Sequence, residues 1–76
     1  MPKPAHDVDQ STFPGKVSAE IRRRRLKKFK RAEEAAAAAG VELATWYRWE
    51  SGRPTLDCLP IAAKALGCSA RLLVPA

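Results

Sequence analysis

The residues with the clearest binding chemistry lie in one short run, from Leu43 to Ser51, which reads LATWYRWES. The run contains two indoles, a phenol and a guanidinium, and no glycine or proline interrupts it before Gly52. It is therefore predicted to form a helix that ends at Gly52. At about 100° per residue, both tryptophans fall on one face of this helix. The opposite face holds Leu43, Ala44, Tyr47 and Arg48.

The two tryptophans decide which face of this helix points outward. An indole carries about 150–250 Å² of surface that is best buried, so Trp46 and Trp49 are predicted to lie in the core. The face with Tyr47 and Arg48 would then be exposed. Apolar contact, a phenol and a guanidinium suit thymine methyl groups, base edges and phosphates in a DNA groove.

The positive charge is concentrated in one stretch of the chain. Nine basic residues and one acid, Glu20, lie between Lys16 and Arg31. The rest of the chain is slightly acidic, so the whole net charge of +6 comes from this stretch. Clustered cations favour polyanion binding because neutralising phosphates releases condensed counterions. Three interpretations remain open from the residues alone: a DNA-phosphate surface, an arginine-rich RNA-binding helix, or a solvated helical face.

The residues give little support to catalysis, metal binding or membrane association. No paired nucleophile and base, phosphate-binding glycine loop or metal-ligand set is evident, so we expect no enzyme activity, no cofactor and no metal. Cys58 and Cys68 have apolar neighbours and are expected to be small buried thiols. No signal-peptide pattern precedes Phe13, and the longest apolar run, Ala35 to Ala39, is too short to span a bilayer. We therefore expect a cytoplasmic protein without a membrane partner.

The chain is expected to divide into a flexible N-terminal arm, residues 1–17, and one domain, residues 18–76. Three prolines and Gly15 interrupt any periodicity in the arm. Ser18 is the predicted N-cap of a first helix over residues 19–29. Its apolar anchors would be Ile21, Leu26 and Phe29.

Glycines and capping residues predict four further short helices, giving a compact all-α domain of five helices. They cover residues 32–39, 43–51, 58–66 and 70–74, with Gly40, Gly52 and Gly67 as stops and Asp57 and Ser69 as N-caps. Capping by Asp57 places Pro60 at the third helical position, where a missing N–H costs nothing. Local propensity alone would also permit one continuous helix over residues 19–39.

The second half of the chain resembles a known family. The matching residues are Ala36, Gly40-Val41, the run TWYRWESGRP over 45–54, Leu59-Pro60, Ala63 and Leu66-Gly67. This pattern is similar to that of the Cro/repressor-type (XRE-like) helix-turn-helix family, over roughly residues 21–74. The part from Gly40 to Pro54 is the specific part of the match.

The resemblance implies a five-helix domain whose second and third helices form a helix-turn-helix. It implies a break near Lys30 and Arg31, against local propensity. It also implies a sequence-specific regulator of transcription, of phage or bacterial repressor type, that binds a palindromic double-stranded DNA operator as a homodimer. No small-molecule effector is expected, because the chain has no room for a second domain.

The resemblance also assigns roles to individual residues. The recognition helix enters the major groove by its N-terminal end, so the base-facing positions are Leu43, Ala44, Tyr47 and Arg48. Phosphate contacts are expected from Lys30, Arg31, Thr45, Ser51 and Arg53. A structural ion pair is implied between Arg25 and Glu50. Leu72, Leu73 and Val74 are expected either to belong to the core or to form a dimer interface, as in relatives.

The chain departs from the family pattern at three positions. Ala32 stands where a phosphate-binding glutamine is usual, Ala35 where leucine is usual, and Trp46 where an aliphatic residue is usual. We interpret the second and third departures as a volume exchange, in which tryptophans fill the space that alanines leave. Lys30 and Arg31 are expected to replace the lost glutamine contact.

Several alternatives stay open at this point. A phage repressor, an antitoxin acting on its own operon and a plasmid or restriction controller fit equally well. An arginine-rich RNA-binding or nucleic-acid-coating protein is the rival from another class. A protein-binding adaptor with the same fold is a third possibility, which the concentrated positive charge disfavours.

Overall fold

Four α-helices and one short 3₁₀ helix make up residues 12–74, the part of the chain that the computed structural model describes. The helices are α1 (Phe13–Lys28), α2 (Ala32–Ala39), α3 (Leu43–Glu50), α4 (Cys58–Leu66) and the 3₁₀ helix (Ala70–Leu73). The predicted all-α class is confirmed. The predicted fifth helix over 70–74 is instead a single 3₁₀ turn that ends one residue earlier.

The first helix begins well before the predicted start at residue 19. Thr12 is its N-cap, and the Thr12 hydroxyl oxygen accepts a hydrogen bond of 3.1 Å from the Gly15 N–H. Pro14 lies in the first turn, where the missing N–H has no helical partner to lose, so proline does not prevent the helix there. The predicted Ser18 cap is therefore wrong.

The predicted boundary between residues 17 and 18 falls inside α1. Residues 13–17 belong to the helix and pack with it, since Val17 is part of the core. The rest of the predicted arm, residues 1–11, lies outside the described residues.

Ser18 has a different role from capping. Its side chain is fully buried, and its hydroxyl oxygen accepts a hydrogen bond of 2.9 Å from the Gly52 N–H. Gly52, at φ +93°, is in the left-handed region that favours glycine. The bond ties the turn after α3 to the middle of α1.

The predicted break between the first two helices is confirmed. Phe29 and Arg31 both have extended backbone, and α2 starts at Ala32. The Arg25 guanidinium donates to the carbonyl oxygens of Phe29 and Lys30, at 3.4 and 2.9 Å, and so satisfies groups that a continuous helix would have paired. The backbone N–H of Arg31 donates to the Glu34 carboxylate at 3.1 Å, which stabilises the start of α2.

The later helix ends agree with the predicted stops, but two predicted caps do not. Gly40 and Gly67 end α2 and α4 with φ of +72°, and α3 ends at Glu50 with Ser51 as its C-cap. Asp57 and Ser69 occupy the N-cap positions without accepting a side-chain hydrogen bond. The turn before α4 is closed by the backbone instead, because the Cys58 N–H donates to the Thr55 carbonyl at 3.1 Å.

The core forms around the two indoles, as predicted. Trp46 is fully buried and Trp49 nearly so, and their ring centroids lie 5.5 Å apart at an interplanar angle of 57°. Other core residues are Val17, Ile21, Ala32, Ala35, Ala36, Cys58, Ala62, Ala63, Ala65, Leu66 and Leu73. α2 packs against both α3 and α4 and buries only alanines, so the tryptophans supply much of the core volume.

One apolar prediction is wrong. Leu26, a predicted anchor of α1, is about half exposed, because it lies on the side of the helix away from Ile21. Of the two roles expected for Leu73, the structure shows the core role: Leu73 is fully buried in its own chain, whereas its neighbour Leu72 is half exposed. In a 3₁₀ turn successive side chains point in different directions, so the two leucines cannot share one outer surface.

Among the described residues, no helix combines the length and the apolar character needed to cross a bilayer.

Replacing the central indole tests the volume exchange. Trp46→Ala is expected to lower the free energy of unfolding by about 3–5 kcal/mol, because the buried alanines of α2 cannot fill the cavity. Chemical denaturation followed by circular dichroism measures the change. The matched control is Tyr47→Ala on the exposed face of the same helix, with an expected change within about 0.5 kcal/mol. A near-neutral Trp46→Ala would rule the exchange out.

Candidate nucleic-acid interface

The outward face of α3 is the candidate contact surface. Ala44 and Arg48 are exposed, and 49% of the Tyr47 surface is open to solvent. Leu43 is only partly exposed, since it also packs against the core. This helix face therefore presents a methyl group, a phenol and a guanidinium side by side, with part of a leucine at the N-terminal end.

A buried ion pair holds α3 against α1. Arg25 Nε donates to Glu50 Oε2 at 2.9 Å, and Arg25 Nη2 donates to Oε1 at 3.1 Å, so the pair is bidentate. Only 7% of Arg25 and 2% of Glu50 are exposed. The indole N–H of Trp46 also donates to Glu50 Oε2. We refer to Arg25, Glu50 and Trp46 as the α1–α3 clamp.

The electrostatics of the clamp follow from this geometry. The hydrogen bonds from Arg25 to Glu50 raise the pKa of the guanidinium, and this effect outweighs the burial that would lower it. The carboxylate accepts from three N–H groups, and no buried side-chain nitrogen or oxygen in residues 12–74 lacks a partner. The cost of burying two charges is thus offset by complete pairing.

The clamp also places the link between α1 and α2. The guanidinium that binds Glu50 donates through its Nη1 to the Lys30 carbonyl. The Lys30 backbone and the C-terminal end of α3 are therefore close together, since the same guanidinium binds both. Arg53 lies at the same end, because its N–H donates to the Arg48 carbonyl at 3.1 Å.

The predicted phosphate-binding residues fall into two groups. Lys30, Arg31 and Arg53 are exposed and form no ion pair within residues 12–74. Thr45 and Ser51 are only partly exposed, and the Ser51 hydroxyl already donates to the Tyr47 carbonyl. The three exposed cations are therefore free to meet phosphates, and the two hydroxyls are less available.

The arginine run of α1 is less available than its composition suggests. Glu20 accepts from both Arg23 and Arg24, at 2.6 and 2.7 Å. Burial alone would raise the pKa of Glu20, but these arginine contacts together lower it, so the carboxylate stays charged beside them. Lys28 is also engaged, since its ammonium donates to the Ala65 carbonyl at 3.1 Å.

The sequence reasoning missed these uses of the basic residues. Glu20 precedes Arg23 and Arg24 by three and four positions, a spacing at which helical side chains meet, and that spacing could have revealed the pairing. The Lys28 contact joins two elements far apart in the chain, and no local signal announces it. Six of the nine basic residues between 16 and 31 form no ion pair in the described structure. Lys28 is one of them, and the other five make no such contact with another element: Lys16, Arg22, Lys27, Lys30 and Arg31.

The cysteines form no reactive pair. Cys58 and Cys68 are both free thiols, the first buried and the second partly exposed. Burial raises the pKa of the Cys58 thiol, which keeps it protonated. Within residues 12–74, no three histidine, cysteine or acidic side chains come together in a way that could hold a metal ion.

The fold is similar to that of a crystal structure from Neisseria described as the hypothetical transcription factor NHTF. The TM-score is 0.74 and the sequence identity is 27%, over 97% of this chain and 86% of that chain. No protein-family model and no curated protein matches the sequence. The chain thus shares an all-helical fold with a protein described as a hypothetical transcription factor.

Removing one partner of the clamp tests its contribution. Arg25→Met is expected to lower the free energy of unfolding by about 3–5 kcal/mol, because Glu50 would remain charged in the core without its partner. Chemical denaturation measures this. In the double variant Arg25→Met/Glu50→Leu no buried charge is left, so its loss should be smaller than that of Arg25→Met alone. Additive losses from the two single substitutions would show that the residues are not coupled.

Proposed function

We propose that this protein is a sequence-specific double-stranded DNA-binding regulator of transcription, of the Cro/repressor type and acting as a repressor. In this proposal α2 and α3 form a helix-turn-helix, and α3 lies in the major groove of the operator. The observation that carries the proposal is the orientation of α3, whose two indoles are buried while Tyr47 and Arg48 face outward. The similarity to a hypothetical transcription factor supports it.

The connection between α2 and α3 suits this role. Two helices of eight residues are joined by residues 40–42, and Gly40 adopts the left-handed conformation that turns the chain. Helix-turn-helix motifs need a short turn of this kind, often with glycine, and small residues where the helices cross. Ala35 and Ala36 of α2 are buried and meet the second requirement.

Each exposed residue of the surface then has an expected role. Ala44 can contact a thymine methyl group, and Tyr47 and Arg48 can donate to base edges, Arg48 with a preference for guanine. Lys30, Arg31 and Arg53 would bind phosphates and orient the domain on the duplex. Leu43, Thr45 and Ser51 remain in the proposal with smaller contributions, because they are only partly exposed.

The RNA-binding alternative loses support in the structure. An arginine-rich helix binds RNA through cations that are free to neutralise phosphates. Here Arg25 is buried, Arg23 and Arg24 share the Glu20 carboxylate, and Lys28 is bound to α4. Lys16, Arg22 and Lys27 are the unpaired cations left on α1, whereas Lys30, Arg31 and Arg53 lie at the link between α1 and α2 and after α3, beside the proposed reading helix.

We further propose that two copies bind a palindromic operator. A two-fold dimer would place its two α3 helices in successive major grooves, about 34–36 Å apart along the duplex. Selection of bound duplexes from a random pool tests the function directly. A palindrome with half-sites one helical turn apart is the expected result. Enrichment of no duplex motif, together with preferential retention of RNA, would contradict the proposal.

Substitutions on α3 should change specificity. Tyr47→Ala/Arg48→Ala is expected to cost about 1–3 kcal/mol of binding free energy for each lost base contact and to relax selectivity at the contacted positions. Fluorescence anisotropy with the selected duplex and with point-changed duplexes measures both effects. The control variant is Arg23→Ala/Arg24→Ala, which removes two positive charges from α1, whereas the α3 variant removes one. A larger loss in the control than in the α3 variant would favour the RNA-binding alternative.

Substitutions in the link should change salt dependence and leave specificity intact. Lys30→Ala/Arg31→Ala is expected to weaken binding about equally for all duplexes and to reduce the slope of log K against log salt by roughly two. Titrations at several salt concentrations give the slope. An unchanged slope would show that neither side chain contacts a phosphate.

A further inference from the structure

An apolar groove lies between the N-terminal end of α1 and the loop that follows α3. It has a volume of about 180 Å³ and is lined almost wholly by carbon, chiefly from Phe13, Val17, Pro54, Leu56 and Leu59. The core supports the base of the groove, since Val17 is part of the core and Leu59 packs against it.

Two large apolar side chains at the edges of this groove are exposed. Leu56 is 81% exposed and Phe13 53% exposed, and both line the groove. Leu56 is the most exposed large apolar side chain among the described residues. Contiguous apolar exposure of this kind marks an interaction surface, whereas scattered apolar residues do not.

We propose that this groove is the homodimer interface, with Leu56 of each copy seated in the groove of the other. The inference rests on the proposed function, because it assigns the contact through which two copies would occupy a palindromic operator. An interface around a two-fold axis requires one patch that is complementary to itself. A protruding Leu56 beside an apolar groove provides both halves of such a contact on each copy.

The charges beside the groove favour a second copy over an unrelated partner. Lys16 adjoins Val17 in the sequence, and Asp57 adjoins Leu56. Both are exposed, and neither forms an ion pair within residues 12–74. A patch that carries one cation and one anion can pair with its own two-fold copy, whereas a patch of one sign would repel it.

The position of the groove also suits binding to DNA. Pro54, which lines the groove, directly follows Arg53, so the groove adjoins the end of α3 that carries a proposed phosphate contact. An interface at this position would therefore set the separation of the two α3 helices along the duplex.

This interface replaces the one expected from the sequence. Leu73 is buried within its own chain and cannot meet a partner, so the C-terminal end offers Leu72 as its main exposed apolar side chain. Leu56 and Leu72 are thus two exposed leucines in different parts of the domain. Dimerisation is predicted to bury Leu56 and to leave Leu72 exposed.

Sedimentation equilibrium of the full chain, without DNA, tests the interface. Wild-type protein is expected to dimerise, and Leu56→Asp is expected to raise the dimer dissociation constant at least roughly thirtyfold, as for a buried anchor residue. Phe13→Asp, which alters the opposite side of the groove, should have a similar effect, and an acid in the first turn of α1 is compatible with folding. Leu72→Asp is the matched control and should leave the dimer intact.

DNA binding by the same variants separates this inference from the proposed function. Leu56→Asp should keep wild-type affinity for a single half-site and lose roughly thirtyfold on the selected palindrome. A dimer that persists in Leu56→Asp, or one that dissociates only in Leu72→Asp, would overturn the inference, as would a wild-type protein that stays monomeric both free and on the palindrome. Dissociation by Leu56→Asp in a protein that selects no duplex would support the interface and contradict the proposed function.

Discussion

The bidentate contact between Arg25 and Glu50 determines how the rest of the domain is arranged. One guanidinium binds a carboxylate at the end of α3 and two carbonyls in the link before α2, and the same carboxylate accepts from the Trp46 indole. Three elements are thereby fixed by groups that would be costly to leave unpaired in the core. The rotation of α3 about its axis follows, and with it the choice of side chains that face solvent.

Packing and charge both follow from that rotation. With Trp46 and Trp49 turned inward, α2 needs only alanines on its buried face, so α2 and α3 approach closely. The basic stretch is divided between structure and surface. Arg25 and Lys28 connect α1 to other elements, and Glu20 partly neutralises its two arginine neighbours. Some of the unpaired cations stay on α1, and others, Lys30 and Arg31, lie at the link near the end of α3. Net charge alone would have assigned all of these residues to one cationic face.

Some features of the fold can be predicted from neighbouring residues in the sequence, and others cannot. The inward indoles, the stops at Gly40 and Gly67 and the break before α2 were predicted, because side-chain size, glycine conformation and the family resemblance each bear on them. The start of α1 was not, because Ser18 has a strong capping propensity and its burial against Gly52 depends on an element 34 positions away. The burial of Leu73 could not be decided from the sequence, and the contact of Lys28 with the Ala65 carbonyl could not be predicted, for the same reason. Both depend on contacts between elements that are far apart in the chain.

Spectra of ¹⁵N-labelled protein during titration with the selected duplex test most directly whether the outer face of α3 reads DNA. If it does, we expect the backbone amides of Ala44, Tyr47 and Arg48 and those of the link at Lys30 and Arg31 to shift most. The buried Trp46 indole N–H should move little, because it stays bound to Glu50. Shifts concentrated at Arg23 and Arg24 on α1, with α3 unaffected, would show that α3 does not read the duplex.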